Sequence, residues 1–304
     1  MWHIFDRMSI LSVTILVMAV TAPVSQDPLE AAIRARIAEV SGARVAVAYR
    51  HLARADSLFL NADSSYHAAS TMKVPVMVEL FRKIDAGELR LSDSIPLRNE
   101  FRSIVDGSPY SLGTGDDSDS SLYARIGSSV ALEELIDAMI TRSSNLATNV
   151  VIDVAGGGER ITATMRTLGA GDIQVRRGVE DGKAYQAGLN NTTTARDMSS
   201  ILGALETGKA ASPASTAAMR EILLRQEFNE GIPAGLPAGT RVAHKTGWIT
   251  ATAHDAAIVY PSGGEPYVLV VLTGGIPAHA DANRLIADLA RLVHAHATAA
   301  DPAR

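Results

Sequence analysis

At 304 residues, with 47% hydrophobic and 20% charged side chains, the chain can bury a sizeable core as one large domain or two intimate ones, and it is not disordered. A formal net charge of −5 with no basic run excludes an electrostatic nucleic-acid binder, since phosphate recognition needs a basic face. The chain has no cysteine, which removes disulfides, thiol catalysis and lipid attachment through cysteine together.

The first 25 residues read as a secretory signal. Arg7 precedes an apolar run from Ile10 to Ala22, too short to span a bilayer comfortably. Val20-Thr21-Ala22 offers small residues for cleavage, a site near Ser25 is equally suitable, and Met8 is an alternative start. The competing reading is a retained N-terminal anchor. Export to the periplasm or medium is expected, with no stable membrane insertion after cleavage.

A helix is expected from Pro28 to Val40, with Leu29, Ile33, Ile37 and Val40 on one face, ended by Gly42. Arg44 to Arg50 alternates, with Val45, Val47 and Tyr49 on one side, and Ser57 to Leu60 follows as its partner strand. The next hundred and forty residues read as mainly helical. One helix runs from Ser70 to Ala86, with Pro75 tolerated only near its first turn and Gly87 closing it. Leu112 to Ser121, with Asp116, Asp117 and Asp119, reads as a solvated loop, because it lacks the glycine and terminal glutamate of a calcium-binding loop. Ser129 is expected to cap a helix carrying Glu133 and Glu134 in its first turn.

Further helices fit Glu159 to Leu168 and Thr194 to Leu205, and Ser212-Pro213 opens another that runs to about Glu227. Strands return at Arg241 to Thr250, His254 to Tyr260 and Pro266 to Thr273, the last two joined at Ser262-Gly263-Gly264. A closing helix uses Leu285, Ile286, Leu289, Leu292 and Val293. Strands at both ends with helices between imply an α/β (α+β) fold. Residues 26–66 and 208–304 would form one antiparallel sheet with flanking helices, and 67–207 an inserted all-helical domain.

Three short motifs carry chemistry. Ser70-Thr71-Met72-Lys73 sets a hydroxyl and an amine three residues apart, one face of a helix, so Lys73 can reach the Ser70 hydroxyl. Serine attacks only when something takes its proton, and an amine of lowered pKa can do so. Ser143-Ser144-Asn145 places a second hydroxyl and a carboxamide at a corner between helices, and His244-Lys245-Thr246-Gly247 lies on a strand. Ser-x-x-Lys alone arises about once by chance in such a chain, and Lys-Thr-Gly in roughly one chain in fifteen. Among the five lysines only Lys73 has a serine three before it, and among the eight asparagines only Asn145 has a serine two before it. All three motifs in order, each on a suitable element, make coincidence a poor account. The eight histidines show no metal-ligand spacing; His294 and His296 read as solvated, and no metal or cofactor is expected.

Ser-x-x-Lys, then Ser-x-Asn, then Lys-Thr-Gly resembles the pattern of class A β-lactamases and penicillin-binding proteins. Leu168-Gly169 through Val179-Glu180 to Thr192-Thr193-Thr194 looks like the class A Ω loop, and Ile140 to Asn149 like the stretch around Ser-Asp-Asn, with Ser144 in place of the aspartate. The resemblance implies that Ser70 attacks a lactam carbonyl, that Lys73 is base or proton relay, and that Ser143 protonates the departing nitrogen. It implies that Asn145 binds the substrate's side-chain amide and that Lys245 and Thr246, followed by Gly247, hold its carboxylate. The N–H groups of Ser70 and Trp248 would make the oxyanion hole, and Glu180 would activate the water that hydrolyses the acyl-enzyme. The charge of Lys245, if close, would lower the pKa of Lys73.

The departures are specific. The family's asparagine four residues after the glutamate, which holds the hydrolytic water, is Ala184 here, and its loop-closing arginine and aspartate fall at Gly178 and Asn191. The resemblance implies a monomeric β-lactamase that breaks down β-lactams and so confers antibiotic resistance. The alternatives are a related hydrolase of D-Ala-D-Ala peptides, amides or esters with little β-lactam turnover, and a non-catalytic binding protein of the same fold. The complete Ser70, Lys73, Ser143, Lys245 set disfavours the last, and Glu180 favours the lactamase over the peptidase.

Overall fold

The computed structural model describes residues 27–299, so the signal expected over the first 25 residues lies outside the described residues. Asp27 accepts a hydrogen bond from the N–H of Leu29 and opens α1 (Pro28–Ala38), where Pro28 needs no donor partner in the first turn. Strands β1 (Arg44–His51) and β2 (Ser57–Leu60) follow. Then come α2 (Lys73–Asp85), α3 (Leu132–Thr141), α4 (Asn145–Ala155), α5 (Gly158–Thr167), α6 (Gly182–Gln186), α7 (Ala195–Glu206) and α8 (Pro213–Leu223). The chain returns in β3 (Arg241–Ile249), β4 (Thr252–Tyr260) and β5 (Tyr267–Gly274) and runs into α9 (His279–Ala297). Among the described residues no helix is long and apolar enough to cross a membrane.

The five strands form one antiparallel sheet in the order β2-β1-β5-β4-β3, so both chain segments build it, with Val47 opposite Val271 and Lys245 opposite Ala256. The alternation read along β1 is only half of its burial. Val47 and Tyr49 pack with Leu285 and Leu289 of α9 in one core, while Ala46 and Ala48 join Val268 and Val270 in a second core with α2, α4 and α7. Both faces are covered, so small residues on the second face are buried as fully as the large ones on the first.

Three boundaries differ from expectation. Ser70 sits in a 3₁₀ turn, Ala69–Met72, that feeds α2, which places Pro75 in the first α-helical turn where its missing N–H has no partner to lose. Ser129 caps nothing: Ser129–Ala131 pairs with Ser94–Pro96, and α3 starts only at Leu132. The β-branched Val130 opposite Ile95 explains the added pairing. Helix α8 ends at Leu223 because the chain turns onto the end of α3, where Gln226 Nε2 donates to Ile140 O and Glu227 N to Thr141 O.

Strand β3 is an edge strand, and its free side faces the turn that carries Ser70. A Cβ on Gly247 would lie 2.8 Å from Ser70 N and 2.9 Å from Thr71 N, so only glycine lets the two backbones approach this closely. The loop between α5 and α7 is closed at its base by the Gln174–Thr192 bridge and by pairing of Thr192–Thr193 with Tyr66–His67.

Candidate active site

A cleft of about 290 Å³ opens between the Ser70 turn, the end of β3 and the loop carrying Glu180. Ser70, Asn145, Glu180 and Trp248 line it, together with His67, Arg177 and Tyr185. Lys73 and Lys245, both 0% exposed, stand behind the lining. Lys73 Nζ lies within hydrogen-bond distance of Ser143 O (2.6 Å), Ser143 Oγ (3.0 Å) and Asn145 Oδ1 (2.9 Å). Lys245 Nζ reaches the same Ser143 Oγ at 3.2 Å and donates to Thr246 O at 3.0 Å. One serine hydroxyl therefore sits between two buried amines. The direct Lys73–Ser70 bond expected from i, i+3 spacing is not formed here; the three bonds of Nζ run to the Ser143–Asn145 corner instead, because Ser70 stands on the tighter 3₁₀ turn.

Burial pushes the Lys73 pKa down to about 7, with Asp117 and Glu180 pulling it back up. Burial also holds Lys245 well below the ordinary lysine range, and there the neighbouring Lys73 charge adds to the effect. The expected repulsion thus acts chiefly on Lys245, while desolvation governs Lys73. Two buried ammonium groups on one hydroxyl are strongly disfavoured, so burial and proximity together favour the neutral form of at least one of the two amines. Burial and then the Asp116 charge raise the Glu180 carboxyl, against Arg177 and Lys73.

Backbone strain concentrates here. Ala69, Ser143 and Glu180 all hold positive φ, at 45°, 61° and 60°. Non-glycine residues occupy that region rarely, and at a cost of order 1–3 kcal/mol each, when the surroundings over-determine them. Thr246 is 8% exposed and its Oγ1 has no hydrogen-bond partner. Trp248 is held edge-on to Phe228, with centroids 5.0 Å apart, and tilted against His279 at 5.4 Å.

With Gly178 and Asn191 in place of the family's arginine and aspartate, the loop is tied by amide–backbone bonds rather than an ion pair. Asn191 Oδ1 accepts from Arg176 N at 2.7 Å and Arg177 N at 3.0 Å, and its Nδ2 donates to Arg177 O at 3.0 Å. Asn149 clamps the peptide before Glu180 likewise, accepting from Val179 N at 2.6 Å and donating to Val179 O at 2.9 Å. Gly178 has no room for a side chain, since a Cβ would lie 2.4 Å from the Tyr110 hydroxyl. Asp181 caps α6 through Ala184 N and also accepts from Ser103 Oγ and Ile104 N. Ala184 is fully buried and does not line the cleft, so it is not positioned to hold a water beside Glu180.

Sequence reasoning missed Asp117, Asn149, Arg177 and His67. The acidic loop is not merely solvated: Asp117 caps α4, and Asp119 pairs with Arg142 at 2.8 Å. Asn149 carried a usable signal, one helical turn after Asn145 on the same face. His67 Nδ1 accepts from Ala69 N at 3.0 Å and so braces the Ser70 turn; burial lowers its pKa to about 4 and keeps the ring neutral. Among the described residues no group of three His, Asp or Glu side chains is arranged to hold a metal ion.

The chain is similar over most of its length to proteins already known. The family model of the β-lactamase enzyme family matches residues 28–297. A β-lactamase of Rhodobacter capsulatus is 29% identical over 286 residues, covering 90% of both chains. A β-lactamase of Streptomyces albus G is 27% identical over 265 residues, 85% of this chain and 82% of that one. The solved structure of PBP-A superposes with a TM-score of 0.77 at 26% identity, covering 88% of this chain and 95% of that one. A mutant of PBP-A, solved as an acyl-enzyme complex with penicillin G, gives 0.76 at the same identity and coverage. An ancestral class A β-lactamase gives 0.76 at 28% identity, covering 88% and 99%.

Proposed function

The chain belongs to the β-lactamase enzyme family, and from that premise we propose that it is a class A-like serine β-lactamase acting through a Ser70 acyl-enzyme. The observation that carries the reading is Ser143 Oγ held between two fully buried lysines behind a cleft that presents Ser70 and Glu180. Ser70 Oγ attacks the lactam carbonyl carbon and its proton passes to neutral Lys73 Nζ. The carbonyl oxygen takes up the negative charge facing the N–H groups of Ser70 and Trp248. As the tetrahedral intermediate collapses, the C–N bond breaks and Ser143 Oγ delivers a proton to the nitrogen, to be replenished from Lys73. Glu180 then takes a proton from water as it attacks the ester carbon, and as the C–O bond breaks that proton is returned to Ser70 Oγ, leaving Glu180 ionised again.

The carboxylate of a β-lactam would sit against Lys245 and the free hydroxyl of Thr246, a buried group otherwise left without an acceptor. Asn145 would meet the substrate's side-chain amide. Mass spectrometry of the intact protein with a penicillin should show one added drug mass on the Ser70 peptide, and Ser70→Ala should abolish adduct and turnover. A protein that leaves the drug unchanged and carries no adduct would defeat the proposal. The second reading, a D-Ala-D-Ala peptidase or amidase of the same fold, is favoured by the likeness to PBP-A and by the rebuilt loop around Gly178 and Asn191. Glu180, lining the same cleft as Ser70, favours the lactamase reading, because a base there serves hydrolysis of the ester.

A further inference from the structure

The first N–H groups of a helix have no partner within it, and something must accept from them when the helix starts inside a protein. Helix α4 starts inside the site, with Ser144 as its N-cap directly after Ser143. Ser144 Oγ takes the Ala147 N–H at 3.2 Å, which leaves Asn145 N and Leu146 N. Both donate to one carboxylate from a different part of the chain: Asn145 N to Asp117 Oδ1 at 2.8 Å, and Leu146 N to Asp117 Oδ2 at 2.8 Å. Ser144 Oγ approaches the same Oδ2 at 3.4 Å, and Tyr123 OH, fixed also on Gly113 O, donates to it at 3.1 Å. The adjacent Asp116 carbonyl accepts from Asn145 Nδ2 at 2.7 Å. Asn145 is therefore held by backbone and side chain at once, with its Oδ1 turned to Lys73 Nζ.

We infer that Asp117 is a positioning residue of the acylation machinery: reaching in from the loop before α3, its carboxylate fixes the Ser143-Ser144-Asn145 corner and, through Asn145, the Lys73 amine. The inference rests on reading this site as an acylating centre. Three features carry it. The carboxylate accepts two backbone N–H groups at the positive end of α4, where an anion is favoured. The corner it holds includes Ser143, whose left-handed backbone needs bracing. The corner's own middle residue is an uncharged serine that takes only the Ala147 N–H, so the carboxylate on the two remaining N–H groups is supplied by Asp117. The charged groups facing Lys73 are Asp117 from this loop, Glu180 from the loop before α6, and Lys245 from β3, which shares Ser143 Oγ with it. Removing the Asp117 charge lets the Lys73 pKa fall further.

The test measures acylation by a chromogenic cephalosporin as kcat/KM against pH in wild type, Asp117→Asn, Asp117→Ala and the double variant Asp117→Ala/Ser144→Asp. Asp117→Ala should lose about 10²-fold in kcat/KM, the effect of misplacing a catalytic group by about 1 Å. Asp117→Asn should lose less, because an amide oxygen still accepts one N–H. In both single variants the acid limb, set in wild type by Lys73 near pH 7, should move to lower pH. A carboxylate at position 144, the N-cap of α4, can accept from Leu146 N and restores a negative charge near Lys73, so the double variant should recover part of the rate and bring the limb back toward wild type. Ser144→Asp alone should be impaired, since it sets two carboxylates side by side. If Asp117→Ala is too unstable to assay, Asp117→Asn alone carries the rate and pH readings. A folded Asp117 variant with wild-type kcat/KM, or a loss of rate with an unmoved acid limb and no rescue by Ser144→Asp, would overturn the inference. Failure of wild type itself to acylate would instead overturn the functional reading on which it rests.

Discussion

Replacing Gly247 by alanine tests how tightly the sheet edge sets the position of Ser70. The added methyl would stand 2.8 Å from Ser70 N, 2.9 Å from Thr71 N and 3.2 Å from Ala69 Cβ. Ordinary carbon contacts begin near 3.4 Å, so β3 or the 69–72 turn must give by about 0.6 Å. The atoms in the way are backbone, which cannot rotate aside, and the turn already carries Ala69 at positive φ. Overpacking of this kind costs typically about 1–3 kcal/mol of stability. The larger effect falls on chemistry, because the displaced atoms include the Ser70 N–H proposed for the oxyanion hole. Loss of one such donor costs about 10²–10³ in kcat. Stopped-flow acylation with a chromogenic cephalosporin, alongside thermal unfolding, reads both numbers. Gly203→Ala in α7 is the control: its nearest outside neighbour to a new Cβ is Arg50 Nη1 at 3.8 Å, so it should be neutral or slightly stabilising by helix propensity. Gly247→Ala that folds and acylates within about twofold of wild type would refute the reasoning.

Glu180→Gln should leave the acylation burst nearly intact and make the adduct long-lived, since general-base assistance is worth roughly 10²–10⁴ in rate; turnover at the wild-type rate would remove Glu180 from the mechanism and make Lys73 the next candidate. Ala184→Asn, which resemblance alone would suggest as a way to restore a water ligand, should not speed deacylation. It inserts a carboxamide at a fully buried position, so the melting temperature should drop by the equivalent of about 1–3 kcal/mol, and a faster deacylation rate would contradict the placement. Expression in a bacterial host should yield a mature N-terminus between Pro23 and Pro28 in the periplasm or medium, read by N-terminal sequencing, whereas an intact Met1 on a cytosolic species would count against export.

What the sequence made legible was what repeats or what is chemically rare. Four of the five strands of the sheet run eight or nine residues and are rich in β-formers, and Ser212 and Thr194 announce their helices because capping hydroxyls act within three residues. Lys73, Ser143, Asn145 and Lys245 could be picked out since a buried lysine requires a reason and the chain has few of them. Long-range partnerships were beyond reach. Nothing local to Asp117 says that its carboxylate will meet the N–H groups of residues 145 and 146, for the bonds cross 28 and 29 residues. Nor does position 184 announce that it faces the core, because the five-residue α6 is too short for a period to be read. The same limit explains the loop around Glu180. The resemblance supplied a template with an arginine and an aspartate. Here the closure is made by Asn191 and Asn149, two amides that grip backbone rather than charge. A neutral amide clamp leaves Arg177 without a salt bridge among the described residues and its Nε without a partner, in a cleft that also holds Glu180. That cation opposes, without cancelling, the burial that raises the Glu180 pKa, and so works in favour of the carboxylate form that a deacylating base needs. The replacement therefore alters how the loop is tied while favouring the charge state the proposed chemistry needs.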